Sequence, residues 1–150
     1  MTDVPMRALR QAEAEDWLVI KALLVESALP VEDLGPDQLD GFLIAEEGSD
    51  VIGLIGLQIH GDIGLLRSLA VATAARHAGV GGKLVEALES ASKAAGMTEL
   101  WLLTIDAERF FERHGFQMMA RESAPPGIQQ TSEFSDLCPD TAFLMQKCLS

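Results

Sequence analysis

An apolar run from Leu65 to Val71 leads into Arg76-His77-Ala78-Gly79-Val80-Gly81-Gly82-Lys83, which opens an amphipathic helix followed by a second apolar run, Glu99 to Thr104. Strand, glycine-rich turn, helix and strand in that order predict a right-handed crossover joining two parallel strands. Val80, Leu84, Val85, Leu88 and Ala91 fall on one helical face, Lys83, Glu86, Glu89 and Lys93 lie largely outside it, and Gly96 suits the position after the last turn. Glycines at the helix entry let a ligand approach the backbone, and the unpaired N–H groups of a first helical turn offer donors at the positive end of the dipole. The arrangement predicts a pyrophosphate cradle.

Two familiar glycine loops fail on spacing. A P-loop requires Lys followed by Ser or Thr, and here Gly82-Lys83 is followed by Leu84. The third glycine of a dinucleotide fingerprint would fall at Leu84 as well, and no first strand of a βαβ unit opens the chain.

The remaining sequence sets the context of that loop. Arg7 to Arg10 reads as a short first strand, and Trp17, Ile20, Leu23, Leu24 and Ala28 have helical spacing ended by Pro30. Pro36 before Asp37-Gln38-Leu39 predicts a second, short helix. Phe42 to Glu46, Val51 to Ile59 and Ile63 to Val71 form an antiparallel meander through turns at Glu47-Gly48-Ser49-Asp50 and Gly61-Asp62. After Glu99 to Thr104 comes a helix from Ala107 to His114, then strands at Phe116 to Arg121 and Thr141 to Cys148, separated by a long loop from Ala124 through Pro139.

With 150 residues, 48% of them hydrophobic, the chain is expected to form a single domain over residues 1–150. A formal net charge of -12 argues against nucleic acid or an anionic membrane as partner, since either needs a basic surface, and favours a small-molecule ligand. The N-terminal Met1-Thr2-Asp3-Val4-Pro5 lacks a basic and apolar leader, and no run of about 18 apolar residues occurs, so the expected compartment is the cytoplasm. Cys138 and Cys148, if they share one extended strand, stand roughly 33 Å apart and cannot be bridged. His60, His77, His114 and the two cysteines make no short ligand pair, so no metal site, and no direct arsenic binding, is expected.

The Arg-x-x-Gly-x-Gly pattern after a strand resembles the acetyl-coenzyme A loop of the GCN5-related N-acetyltransferase (GNAT) superfamily. Ser68-Leu69-Ala70-Val71 resembles that superfamily's fourth strand, and Ala107-Glu108-Arg109-Phe110-Phe111-Glu112-Arg113-His114-Gly115-Phe116 its late helix and glycine-phenylalanine exit. The resemblance implies an α/β (α+β) fold: a mixed, mostly antiparallel twisted sheet of six to seven strands flanked by about four helices and splayed between strands 4 and 5. Leu29-Pro30, Asp33-Leu34, Gly64 to Leu69, Leu102-Leu103-Thr104, Phe110-Phe111, Ile128, Thr131, Phe134 and Leu137-Cys138-Pro139 further resemble the branch called arsenic-resistance N-acetyltransferases.

What the resemblance implies is transfer of an acetyl group from acetyl-CoA to the amine of a small molecule, with an amino-acid-like or organoarsenical toxin as the candidate acceptor. Backbone groups at Leu69 and Val71 would hold the pantetheine amides, and Arg76, His77, Gly79, Val80, Gly81 and Gly82 the pyrophosphate, with Lys83 or Arg113 as further phosphate partners. Thr104 and Phe111 join the cofactor contacts, Ser68 and Thr131 the acceptor contacts. A homodimer is expected by analogy.

Amine attack on a thioester needs a neutral amine, an oxyanion donor and a proton for the departing thiolate. The superfamily's usual proton donor is a tyrosine on the late helix; this chain has no tyrosine, and Phe111 stands at the matching position. Leu65 occupies the strand position where many relatives carry a glutamate. Glu133, His60 and Cys138 are loose candidates for a base, with His60 read first as a solvent-facing residue beside its turn. Arg67 shares alternation parity with Leu65, Leu69 and Val71, so its guanidinium sits in an apolar run, where an internal salt bridge or a ligand carboxylate would partner it. Two readings compete with a small-molecule transferase: a non-catalytic acyl-CoA-binding or protein-interaction module, and an acetyltransferase acting on peptides.

Overall fold

The computed structural model describes residues 8–27, 29, 31, 34–48, 50–75, 79–129 and 142–149. Seven strands form one sheet in the order β1-β2-β3-β4-β5-β7-β6, with four α-helices: β1 (Ala8–Gln11), α1 (Trp17–Glu26), β2 (Leu43–Glu47), β3 (Asp50–His60), β4 (Ile63–Val71), α2 (Val80–Ala94), β5 (Glu99–Thr104), α3 (Glu108–Arg113), β6 (Gln117–Met119), α4 (Pro126–Gln129) and β7 (Phe143–Cys148). The chain divides into two compact units, Met1–Gly56 with Ser68–Leu88, and Leu57–Arg67 with Glu89–Ser150.

In the first unit β1 pairs antiparallel with β2 and β2 with β3, with a bulge between Ala45 and Glu46. The apolar side of α1, Ile20, Leu23 and Leu24, packs with Ala12, Leu39, Phe42, Ile44, Leu54 and Ala70 in one buried cluster. Burying a side chain of the Leu or Ile class contributes about 1.5–3 kcal/mol each, so this cluster is what holds α1 against the sheet. The short helix expected after Pro36 is a single 3-10 turn, Pro36–Gln38. A close approach fixes the start of α2: a Cβ on Gly53 of β3 would stand 3.1 Å from both Leu84 Cδ1 and Val80 Cγ1, and 3.2 Å from the Ala70 carbonyl oxygen. Glycine there lets the first turns of α2 lie directly on the strand.

The same unit carries a charge network at its β1 edge. Arg10 Nη1 and Nη2 donate to the two carboxylate oxygens of Asp16 at 2.9 Å, and Nε donates to Glu46 Oε1 at 3.0 Å. One guanidinium thus joins β1, β2 and the entry to α1. Hydrogen bonds from Arg10 hold the Asp16 carboxyl below the usual carboxylate range against an opposing effect of burial, and the same bonds raise Arg10 above its ordinary value.

In the second unit β5 runs antiparallel to β7 from Glu99↔Cys148 to Thr104↔Phe143, and β6 pairs with β7 on its other side. The parallel pairs of β4 with β5 are Ile63↔Glu99, Gly64↔Leu100 and Leu65↔Trp101. From Leu66 onward β4 has no counterpart on β5 among the described pairs, in keeping with the expected splay. Leu65, Trp101, Leu103, Ala124, Ile128, Ala142 and Leu144 form this unit's cluster. Lys147 Nζ donates to both carboxylate oxygens of Glu89 (2.8 and 3.0 Å) and to the His114 carbonyl (2.7 Å), tying β7 to α2 and to the end of α3.

Two expectations need correction. Part of the predicted loop after Ala124 is α4, whose Ile128 is fully buried; proline at its first position is compatible with a helix start, so Pro-Pro-Gly marks an entry as well as a turn. On α2, Ala91 is exposed while Ser92 is buried, because the face set by Leu84 and Leu88 continues at the four-residue step. Cys138 lies outside the described residues and β7 begins only at Phe143, so the shared strand assumed for the two cysteines is not described; Cys148 is a free, exposed thiol.

Because Asp16 is held below its unfolded value, the unfolded chain binds more protons there, and the stabilisation is present above a pH of about 4 and lost as pH falls through the depressed folded value. Asp16→Asn is expected to cost about 1–2 kcal/mol at neutral pH, and the gap to the parent chain should close in urea titrations as pH drops from about 5 towards 2. A gap that stays constant over that range would assign the loss to something other than the carboxylate charge.

Candidate functional site

In the first unit β4 ends at Val71, a 3-10 turn follows at Thr73–Ala75, and α2 starts at Val80. Thr73 Oγ1 donates to Glu26 Oε1 at 3.0 Å, so the turn is tied to the end of α1. Gly79 has φ of +80°, and a Cβ on it would meet nothing within 4 Å. Glycine at this position therefore answers to its left-handed backbone rather than to crowding.

The Gly79 carbonyl accepts the Lys83 N–H at 3.2 Å, which makes that the first bond of the helix ladder. The N–H groups of Val80, Gly81 and Gly82 precede it and have no acceptor one turn back within the helix. Val80 turns its side chain inward, Gly81 and Gly82 are half-buried, and Lys83 is exposed. Donors and helix dipole are thus directed at one place with a mobile-headed cation beside it, which suits an anion. At the end of β4, the Ala72 N–H donates to the Ile52 carbonyl of β3 at 2.8 Å. Alternation then turns the backbone groups of Leu69 and Val71 to the side away from β3.

The centre of β4 is irregular. Ser68 is the non-glycine residue with positive φ, +61°, among the described residues, and it is buried. A left-handed residue interrupts the two-residue alternation, so parity cannot be carried from Leu65 and Arg67 across to Leu69 and Val71 as the sequence reading assumed. Arg67 itself is 2% exposed, the most fully enclosed charged side chain described, and both it and Ser68 are engaged with partners.

In the second unit Thr104 closes β5 and its Oγ1 accepts the Ala107 N–H at 3.0 Å, which sets the turn into α3. The Phe111 N–H then donates to the Ala107 carbonyl at 3.1 Å. Phe111 is buried, its ring edge-on to Phe110 (5.1 Å between centroids) and Phe116 (5.6 Å). One turn earlier on α3, Glu108 is half-buried, and its Oε2 is shielded from solvent with no hydrogen-bond partner among the described residues. Glu108 carries no motif; its mark in the sequence is the three-residue spacing to Phe111.

His60 departs from the solvent-facing expectation. Its side chain lies over Gly127 of α4, where a Cβ would stand 3.4 Å from the His60 Cβ, and its Nε2 is shielded without a partner among the described residues. Arg76, His77, Thr131, Glu133 and Cys138 lie outside the described residues. Among the described residues there is no group of three or more His, Cys, Asp or Glu side chains able to hold a metal ion, and no helix is long and apolar enough to cross a membrane.

The family model of the acetyltransferase (GNAT) domain matches residues 38–118, more than half of the chain and the whole stretch from β2 to the start of β6. The chain belongs to the GNAT family. It is 29% identical over 137 residues to an amino-acid acetyltransferase of Azotobacter vinelandii, an alignment covering 83% of this chain and 31% of that protein. It is 30% identical over 93 residues to an uncharacterized N-acetyltransferase of Chlorobaculum tepidum, covering 61% of this chain and 59% of the relative. The chain therefore spans about a third to three fifths of the length of these relatives.

Solved structures agree on the fold. N-acetylglutamate synthase of Neisseria gonorrhoeae, complexed with coenzyme A and N-acetyl-glutamate, superposes with a TM-score of 0.85 at 21% identity, over 97% of this chain and 35% of that one. A Mycobacterium tuberculosis protein solved with CoA gives a TM-score of 0.80 at 22% identity, over 95% and 99% of the two chains. Seven strands in one mixed sheet with four helices are thus the fold of a GNAT domain. The GNAT assignment leaves Phe111 as the departure from the superfamily pattern described above: an enclosed ring with no proton to give.

Holding Ser68 at positive φ costs of the order of 1–3 kcal/mol for a residue with a Cβ, more when it is β-branched. Ser68→Val is expected to unfold at lower urea than Ser68→Gly by an equivalent of about 1–3 kcal/mol, both variants lacking the hydroxyl. Equal midpoints would show that the backbone there carries no strain.

Proposed function

We propose that this GNAT chain transfers an acetyl group from acetyl-CoA to the amine of a small, amino-acid-like acceptor. The observation that carries the reading is the start of α2: Gly79 in the left-handed region, followed by the N–H groups of Val80, Gly81 and Gly82 ahead of the first helical bond. These donors take the cofactor's pyrophosphate, together with Arg76 and His77 of the same loop, and exposed Lys83 offsets the repulsion of phosphates by a chain of net charge -12. The backbone groups of Leu69 and Val71, turned away from β3, hold the pantetheine amides as an added strand would. Thr104 and Phe111 are assigned to the cofactor, and Ser68 and Thr131 to the acceptor.

Arg67 selects the acceptor. Its guanidinium, 2% exposed and already engaged within the protein, is held in a fixed orientation, and a carboxylate of the acceptor pairing with it would orient the amine. The amino-acid acetyltransferase of Azotobacter and the N-acetyl-glutamate complex of the Neisseria synthase support that class. Organoarsenical amino-acid analogues belong to it too, and the resemblance to the arsenic-resistance branch supports testing them. The neutral amine attacks the thioester carbonyl, the C–S bond breaks as the tetrahedral intermediate collapses, and the proton lost from nitrogen passes to the departing thiolate, directly or through water. A thiolate is a good leaving group, so the reaction does not depend on a tyrosine.

The decisive assay is release of free coenzyme A from acetyl-CoA with a panel of amino acids, glutamate-like phosphinic and arsinic analogues and polyamines, product masses being read in parallel. Acceptor-dependent release with an acetylated product is expected. Tight acetyl-CoA binding without release would instead identify a non-catalytic acyl-CoA-binding module.

Two substitutions separate the binding roles. Gly81→Asp places a carboxylate where the pyrophosphate is held and is expected to raise the KM for acetyl-CoA at least about tenfold, the equivalent of 1.4 kcal/mol. Arg67→Met is expected to raise the KM for a carboxylate-bearing acceptor by about tenfold to a hundredfold, as for loss of a charge-assisted pair, and to leave the KM for acetyl-CoA within a few-fold. Unchanged acceptor KM in Arg67→Met would remove Arg67 from the acceptor site.

A further inference from the structure

Gly53 stands in the buried middle of β3, opposite Ala45 of β2, and its φ is not positive. Its backbone is therefore one that any residue adopts, and a glycine inside a strand weakens the strand through lost chain entropy and a missing side chain. Glycine at this position answers to space. A Cβ would stand 3.1 Å from Val80 Cγ1, 3.1 Å from Leu84 Cδ1 and 3.2 Å from the Ala70 carbonyl oxygen, each tighter than ordinary van der Waals contact. Gly79 is the converse, left-handed and with nothing within 4 Å of a Cβ.

These neighbours differ in how far they can yield. The end of Leu84 can turn aside, but Val80 is β-branched and stiff, and the Ala70 carbonyl belongs to the backbone of β4. Val80 and Leu84 are both buried, so neither side chain can swing into solvent. Relief has to come from the start of α2, which would rise from the strand by a few tenths of an ångström. The strand exit is fixed separately, with the Ile52 carbonyl accepting the Ala72 N–H at 2.8 Å and Thr73 Oγ1 donating to Glu26. Adjacent residues of β3 thus hold the two ends of the connection, Ile52 the departure from β4 and Gly53 the arrival at α2. All of these residues belong to the first unit.

We propose that Gly53 is a positioning residue for acetyl-CoA: its missing side chain sets the height at which α2 begins, and with it the aim of the Val80, Gly81 and Gly82 N–H groups at the pyrophosphate. The inference rests on the cradle assigned under the function proposed above. Gly53 has no side chain to offer the cofactor; it acts through the side chain of Val80, whose own N–H is the first of those donors. Hydrogen bonds to a charged group are strong only at good distance and angle, and donors fixed to one helix move together, so a small rise weakens all of them at once.

Coenzyme A binding to the full chain, measured by titration calorimetry beside the thermal midpoint, tests this with Gly53→Ala, Val80→Ala and the double variant. Gly53→Ala is expected to raise the Kd for coenzyme A about threefold to tenfold. In the Val80→Ala background, where the crowding Cγ1 is gone, the same change at Gly53 is expected to move Kd by less than about twofold. Crowding that cost only stability would lower the midpoint and leave Kd where it was. A Kd for Gly53→Ala within about twofold of the parent therefore overturns the assignment, and so does an equal loss in both backgrounds or a Gly53→Ala chain that does not fold. A parent chain that does not bind coenzyme A would overturn the cradle reading itself, whereas a parent that binds and a variant that binds equally well removes Gly53 alone.

Discussion

The sheet depends on β4, which has β3 on one side and β5 on the other. With β3 it is linked by the short Gly61-Asp62 turn, but with β5 it runs parallel, and parallel neighbours cannot be joined by a hairpin. A crossover is obligatory, and α2 supplies it. The chain must therefore leave the end of β4 at Val71, turn, and begin a helix at Val80, which puts the first turn of α2 after the end of that strand. Among the described residues the parallel pairs of β4 with β5 are Ile63 to Leu65, so the two strands part before β4 ends. The anion cradle is a topological consequence before it is a sequence motif.

Two residues show the local cost of that arrangement. Gly53 gives up a side chain in the middle of β3 so that Val80 and Leu84 can rest on the strand at 3.1 Å from where a Cβ would be. Any larger residue would lift the helix entry and move the donors of Val80, Gly81 and Gly82 with it. Ser68 keeps a side chain at a φ that disfavours one. Such strain persists where surrounding structure over-determines it, and here it falls between the enclosed Arg67 and the strand end assigned to the cofactor. The Arg10 network is different in kind: it joins three elements at the sheet's edge and stands apart from the proposed chemistry.

Period and punctuation made most of the fold legible. β4 and β5 occupy the residues their apolar runs predict, and Gly96 adopts the positive φ expected after α2. What pattern could not give were features set by three-dimensional context. Pro-Pro-Gly reads as a turn because both residue types break helices, yet a proline at the first helical position loses no bond, and Ile128 pulls the short α4 into the core. The parity argument for Arg67 assumed a regular strand and could not see the left-handed Ser68. His60 looks exposed beside its turn until Gly127, almost 70 residues on, is brought over it. Glu108 has the same history, since a shielded oxygen is a property of its surroundings and not of its neighbours in the chain.

The absence of tyrosine is informative because of what accompanies it. A phenylalanine in place of the superfamily donor makes that end of α3 apolar, with Phe110, Phe111 and Phe116 in edge-on contact. In such surroundings a charged group is poorly solvated, and any proton exchange it makes with a bound substrate is stronger than the same exchange in water. With Phe111 there, the proton that a departing thiolate takes must come from elsewhere than this ring, and the acceptor nitrogen, which loses one in the same reaction, can supply it.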